Sequence, residues 1–227
     1  MRERALPLAI QLPPLHAIVD VEVANQHGWT ALDLALACLD GGARVIQLRA
    51  KVAASGDFLD LCDAVIARAA PYADARIIVN DRVDLARMCG AAGVHVGQDD
   101  LCPAAVRRVL GDDAIVGIST HSTAQVTEVL AMPVSYVAVG PVFGTTTKDT
   151  GYPAVGLALV EAAVALCGAR PVVAIGGITL ERAGSVWRAG ATSVAVIGDL
   201  LAGNDPAARV ADYNRVANRV ASGDLEM

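Results

Sequence analysis

The chain has 227 residues, of which 54% are hydrophobic and 4% aromatic, with a formal net charge of −6. That length allows one large domain or two small ones, and the apolar content excludes disorder. The acidic balance excludes a general nucleic-acid binder, which would show a basic surface.

The N-terminal stretch "MRERALPLAIQLPPLHAIVD" carries a short apolar run broken by prolines. This is not the pattern of a signal peptide. No run approaches the ~20 apolar residues of a membrane span. The five cysteines, Cys38, Cys62, Cys89, Cys102 and Cys167, are scattered and odd in number. They offer neither a disulfide framework nor metal-ligand spacing, which suits a reducing cytoplasm.

Residues 1–13 read as an irregular extension. From there short β-branched runs predict strands over 15–20, 44–49, 76–80, 93–97, 114–119, 136–140, 172–177 and 193–198. Between and after them, apolar residues at helical spacing predict helices over 28–39, 57–70, 82–90, 103–110, 122–131, 155–167, 180–189 and 205–221. Strand followed by helix, eight times over, predicts parallel strands joined by right-handed crossovers. The expectation is a single-domain (β/α)8 TIM barrel over 14–221 with a tail at 222–227, and an open doubly wound sheet as the alternative.

In such a barrel chemistry belongs at the C-terminal ends of the strands. In "VIQLRAK" (45–51), Gln47, Arg49 and Lys51 alternate with Ile46, Leu48 and Ala50. Period two places the polar three on one face. The next strand ends in Asn80 and Asp81, and the one after in Gln98, Asp99 and Asp100. Carboxylates on adjacent strand ends suit a hard cation such as Mg²⁺; helix capping is their bland alternative. In "GISTH", Ser119 can donate to a phosphate oxygen and His121 can act as a base. His95, inside an apolar strand, reads as a satisfied core histidine, and no Ser–His or Cys–His arrangement is evident along the chain.

"AIGGI" (174–178) and "VIGDL" (196–200) end the last two strands. Loops there offer backbone N–H groups to phosphate in many barrels, and glycine allows close approach. "VFGTTTKDTG" (142–151) follows the sixth strand on the same face. Thr145 and Thr147 can donate hydroxyl hydrogen bonds, Lys148 can neutralise developing negative charge, and the loop is long enough to act as a lid.

Together, "VIQLRAK", "IIVNDRVDLA", "GVHVGQDDL", "GISTH", "YVAVGPVFGTTTK", "PVVAIGGI" and "VAVIGDL", in this order, resemble the thiamine phosphate synthase family over nearly the whole chain. The resemblance implies a transferase. It would join 4-amino-2-methyl-5-(diphosphooxymethyl)pyrimidine to a thiazole phosphate or its carboxylated form, releasing pyrophosphate. It also implies roles. Gln47 would contact the aminopyrimidine. Arg49, Lys51, Asn80 and Lys148 would hold the pyrophosphate. Asp81 and Asp100 would bind Mg²⁺, and Ser119 would lie near the reacting centre. Thr145, Thr147 and the backbone at Gly177, Ile197 and Gly198 would hold the thiazole phosphate. Lys148, Ser119 and Arg49 are the candidate catalytic residues. The expected setting is cytoplasmic, as a monomer or small homo-oligomer, with small phosphorylated substrates and no nucleic-acid or membrane partner.

Departures from the family pattern are Ala50 for a glutamate, Gly144 for a proline, Gly198 for a serine, and "LHAIVD" for "LYLVTD". Competing readings are a thiazole tautomerase using His121, a phosphate-sugar epimerase or decarboxylase barrel, and a non-catalytic binder of thiamine precursors.

Overall fold

A computed structural model describes residues 10–144 and 152–224. Eight parallel strands close into a barrel in chain order: β1 (Leu15–Asp20), β2 (Val45–Arg49), β3 (Arg76–Asn80), β4 (Gly93–Val96), β5 (Ile115–Thr120), β6 (Tyr136–Val139), β7 (Val172–Ile175) and β8 (Ser193–Val196). β8 returns to β1 through Leu15 opposite Val194. The helices are α1 (Val21–Gln26), α2 (Ala31–Asp40), α3 (Ser55–Ala69), α4 (Val83–Met88), α5 (Pro103–Leu110), α6 (Thr123–Val129), α7 (Gly156–Cys167), α8 (Leu180–Arg188) and α9 (Pro206–Ala221), with a kinked 3-10 segment at Gly198–Asn204.

Strand alternation divides the core in two. One set of residues, including Ala17, Val19, Ile46, Leu48 and Val79, packs under the helices. The other, including Ile18, Val45, Ile78, Tyr136, Val173 and Ala195, fills the barrel interior. Gly117 is required by this filling: a Cβ there would stand 2.0 Å from the Tyr136 ring. The buried phenol thus occupies the space that a side chain at 117 would take.

The predicted strands all form, with ends shifted by a residue or two. Two elements were not predicted. Asp20, the last residue of β1, turns the chain at once into α1, its Oδ1 accepting from the Val23 N–H at 3.0 Å. The helix predicted over 28–39 therefore begins at Ala31, after Thr30 caps it. At the other end β8 stops at Val196, and Gly198 opens the 3-10 segment instead of ending the strand.

Candidate active site

Two cavities open at the C-terminal ends of the strands. One, of about 290 Å³, is charged and is lined by Gln47, Arg49, Lys51, Asn80, Asp81 and Asp100 among others. Its neighbour, of about 370 Å³, is walled largely by the turns after β7 and β8, Ile175–Thr179 and Val196–Asp199. Ser119, His121, Ile175, Ala195 and Ile197 belong to both walls, so the two cavities meet there.

The charged cavity is built from strand register. Asp20 lies opposite Arg49 on the β1–β2 pair, and the Arg49 guanidinium donates to its carboxylate. Asp20 is 3% exposed at its side chain, so burial there depends on this partner. Lys51, beyond the end of β2, pairs with Asp81 beyond the end of β3. Asp81 adopts φ +60°, a left-handed conformation that is strained for a residue with a side chain. Its N–H continues the ladder to the His95 carbonyl at 2.8 Å. Its carboxylate is then turned into the cavity. Asp100 accepts from the Gly97 N–H at 2.8 Å through Oδ2. Neither aspartate serves as a helix N-cap: that position is Arg82 for α4 and Cys102 for α5.

Among the described residues no group of three His, Cys, Asp or Glu side chains could hold a metal ion. Asp81, Asp99 and Asp100 line the cavity, and Asp81 and Asp100 are the two expected to share a cation. That donor set fits Mg²⁺, which is commonly held by one or two carboxylates and completes its shell with water and substrate phosphate oxygens.

The barrel floor below the charged cavity is a buried polar chain. The Nε2 of His16 lies 3.0 Å from the Gln47 amide nitrogen. Burial, with a smaller contribution from nearby His95, pushes the His16 imidazole down to about 3. It is therefore neutral, and its Nε2 accepts from the Gln47 amide. His95 bridges Tyr136 and Ser119, with Nδ1 at 2.9 Å from the phenol oxygen and Nε2 at 2.9 Å from the Ser119 hydroxyl. The expectation that no Ser–His arrangement exists is thus corrected: the pair comes from adjacent strands, 24 residues apart. It does not make an activated nucleophile. The third member is a fully buried phenol, which burial keeps protonated, and not a carboxylate able to stabilise an imidazolium. Gln98 donates to the Ser119 carbonyl at 2.5 Å, and His121 Nδ1 sits 2.6 Å from the Gly140 carbonyl oxygen with its ring stacked on Tyr152 at 3.8 Å.

The second cavity offers backbone. Gly176 and Gly177 have φ of +103° and +61°, and the turn is packed against the loop after β6: a Cβ at Gly177 would stand 2.4 Å from the Gly144 carbonyl oxygen. Among the described residues the N–H groups of Gly177 and Gly198 donate to no carbonyl. Thr145, Thr147 and Lys148 lie outside the described residues. Arg182, which the sequence pattern presents as a surface helix residue, lines this cavity and was not among the expected site residues.

No helix among the described residues is long and apolar enough to cross a membrane. Comparison with known proteins agrees with the geometry. The family model for thiamine monophosphate synthase (TMP-TENI) matches residues 15–200. The thiamine-phosphate synthase of Koribacter versatilis (strain Ellin345) is 40% identical over 209 residues, 91% of this chain and 97% of that protein. That of Anaeromyxobacter dehalogenans (strain 2CP-C) is 43% identical over 192 residues, 83% of this chain and 85% of that protein. The structure of thiamine phosphate pyrophosphorylase from Pyrococcus furiosus superposes with a TM-score of 0.81 at 25% identity, covering 91% of this chain and 96% of that one. The chain belongs to the thiamine monophosphate synthase family and is an enzyme of thiamine biosynthesis, a transferase.

Proposed function

We propose that the enzyme condenses the aminopyrimidine methyl pyrophosphate with thiazole phosphate in a Mg²⁺-dependent, dissociative reaction. The observation that carries this reading is the pairing of the two cavities: one is rich in cations and carboxylates, the other is walled by glycine turns whose Gly177 and Gly198 N–H groups have no carbonyl partner among the described residues, and they meet at Ser119.

The charged cavity suits the pyrophosphate. Arg49 and Lys51 carry positive charge on adjacent sides of it, and Asn80 supplies an uncharged amide. Asp81 and Asp100 would hold Mg²⁺, which supplies charge neutralisation for the leaving group when bound. Gln47, whose amide donates to His16, keeps its carbonyl oxygen for the amino group of the pyrimidine. That amino group can share positive charge with the ring methylene as the carbon–oxygen bond breaks. Pyrophosphate departs with the bonding electron pair, and the thiazole nitrogen brings its own lone pair to the methylene. No proton need be removed, which accords with a Ser119–His95 pair backed by a buried phenol and not by an activating carboxylate. Lys148 and Arg49 would stabilise the negative charge that grows on the departing oxygen. Gly177, Ile197 and Gly198, with Thr145 and Thr147, would hold the thiazole phosphate.

The test is direct. Purified enzyme with both substrates and Mg²⁺ should release thiamine phosphate and pyrophosphate in equal amounts. No coupling at millimolar concentrations of both would overturn the reading.

A further inference from the structure

We propose that Arg182 is the charged anchor for the phosphate group of the substrate bound in the larger cavity, a role that rests on the reading given under Proposed function. Two charged side chains, Arg182 and Asp199, line that cavity among the described residues. Asp199 is already fully engaged. Its carboxylate accepts from the Leu180 N–H at 3.1 Å, from Arg209 at 3.0 and 2.9 Å, and from the Tyr213 hydroxyl at 2.5 Å. Arg209 neutralises it in a bidentate pair.

Arg182 is in the opposite condition. One guanidinium nitrogen donates to the Gly177 carbonyl at 2.9 Å, and the group lies 5.0 Å from the Phe143 ring centroid. Both partners are uncharged. No carboxylate among the described residues forms an ion pair with it. The two contacts aim the guanidinium at the glycine turn, and among the described residues no carboxylate compensates its positive charge. The Gly177 N–H, on the same turn, has no carbonyl partner among the described residues.

A phosphate monoester at neutral pH carries close to two negative charges. Backbone N–H groups at a turn supply only partial positive charge. The protein as a whole is acidic, with a net charge of −6, so the cavity needs a local cation to attract such a ligand. The planar guanidinium fork matches phosphate oxygens in a way an amide or an ammonium does not. Arg182 is exposed, and its bond to the Gly177 carbonyl holds its charge beside the turn that lines the cavity.

Steady-state kinetics on Arg182→Gln and Arg182→Lys test this. Arg182→Gln should raise KM for thiazole phosphate by ~10–100-fold, the scale of a lost charge-assisted hydrogen bond. It should leave kcat and the KM for the pyrimidine substrate within about threefold of wild type. Arg182→Lys, retaining charge but not the fork, should fall between. With the dephosphorylated thiazole alcohol, kcat/KM should be the same for wild type and both variants. An unchanged KM for thiazole phosphate would overturn the proposal. So would an equal loss with the alcohol, which would mean that Arg182 only supports the Gly177 turn. Calorimetric titration of thiazole phosphate alone into wild type and Arg182→Gln makes the same comparison without turnover. Weaker binding in the variant with no coupling by wild type would retain the anchor and reject the synthase reaction; equal binding would reject the anchor.

Discussion

His16 on β1 and Gln47 on β2, diagonal neighbours two positions apart in the strand register, meet at 3.0 Å, both buried in the barrel floor. The imidazole is pushed from its ordinary value of 6.5 down to about 3, chiefly by burial. Between those values the unfolded chain binds a proton that the folded protein excludes. Stability is therefore retained above about pH 6.5 and lost as pH falls toward 3, with a slope of up to ~1.4 kcal/mol per pH unit from this group. His16→Leu should show a shallower loss of stability between pH 6 and pH 4 than wild type. Denaturant melts at several pH values measure it, and parallel curves would remove His16 as the cause.

Much of this architecture was legible from strand patterning. The eight β-branched runs all became strands, and the alternation of Gln47, Arg49 and Lys51 did mark a cavity wall. What could not be read was pairing between strands. His16 meets Gln47 at a separation of 31 residues and His95 meets Ser119 at 24, through registers that no local pattern displays. The six-residue α1 was too short for a helical period and hung on Asp20, which reads as strand. Arg182 was hidden because it sits in an amphipathic helix, where an arginine is ordinary.

Asp81→Asn should raise the Mg²⁺ concentration needed for half-maximal activity and lower affinity for the pyrophosphate substrate. The carboxylate faces the cavity from a strained backbone and is paired with Lys51. Removing it would take away one of the two proposed carboxylate ligands and leave Lys51 without its partner. Magnesium titrations of activity check this, and full activity in excess EDTA would exclude the metal from the reaction.

Gly177→Ala should both destabilise the protein and weaken thiazole phosphate binding. The residue sits at φ +61°, and the new Cβ would meet the Gly144 carbonyl oxygen at 2.4 Å and the Phe143 Cβ at 2.9 Å. Backbone strain of this kind costs ~1–3 kcal/mol, before the collision is relieved. Gly56→Ala is the control: it lies in α3 with open space around it, and should be neutral or stabilising by ~0.5–1 kcal/mol. Thermal melts together with KM values separate the two; equal melting temperatures would mean the turn relaxes freely.

The proposed dissociative step can be probed from the substrate side. Replacing the pyrimidine methyl with a strongly electron-withdrawing group of similar size should slow single-turnover chemistry by orders of magnitude with little change in binding. Each ~1.4 kcal/mol of lost cation stabilisation costs a factor of ten. Rates that stay level or rise across such a series would mean that the thiazole is already bonding as pyrophosphate leaves.

The wall common to the two cavities, formed by Ser119, His121, Ile175, Ala195 and Ile197, has one more consequence. On the proposed reaction, two separate molecules would each surrender their own freedom of tumbling to occupy one cavity. After it, the new carbon–nitrogen bond would make a single molecule that straddles the wall, held by its phosphate at one end and, with pyrophosphate gone, by the pyrimidine contact of Gln47 at the other. Letting go of one end no longer lets the molecule escape, because the other end holds it close enough to rebind. Departure of the joined product would then require both contacts to open together, which would slow its release relative to either substrate alone.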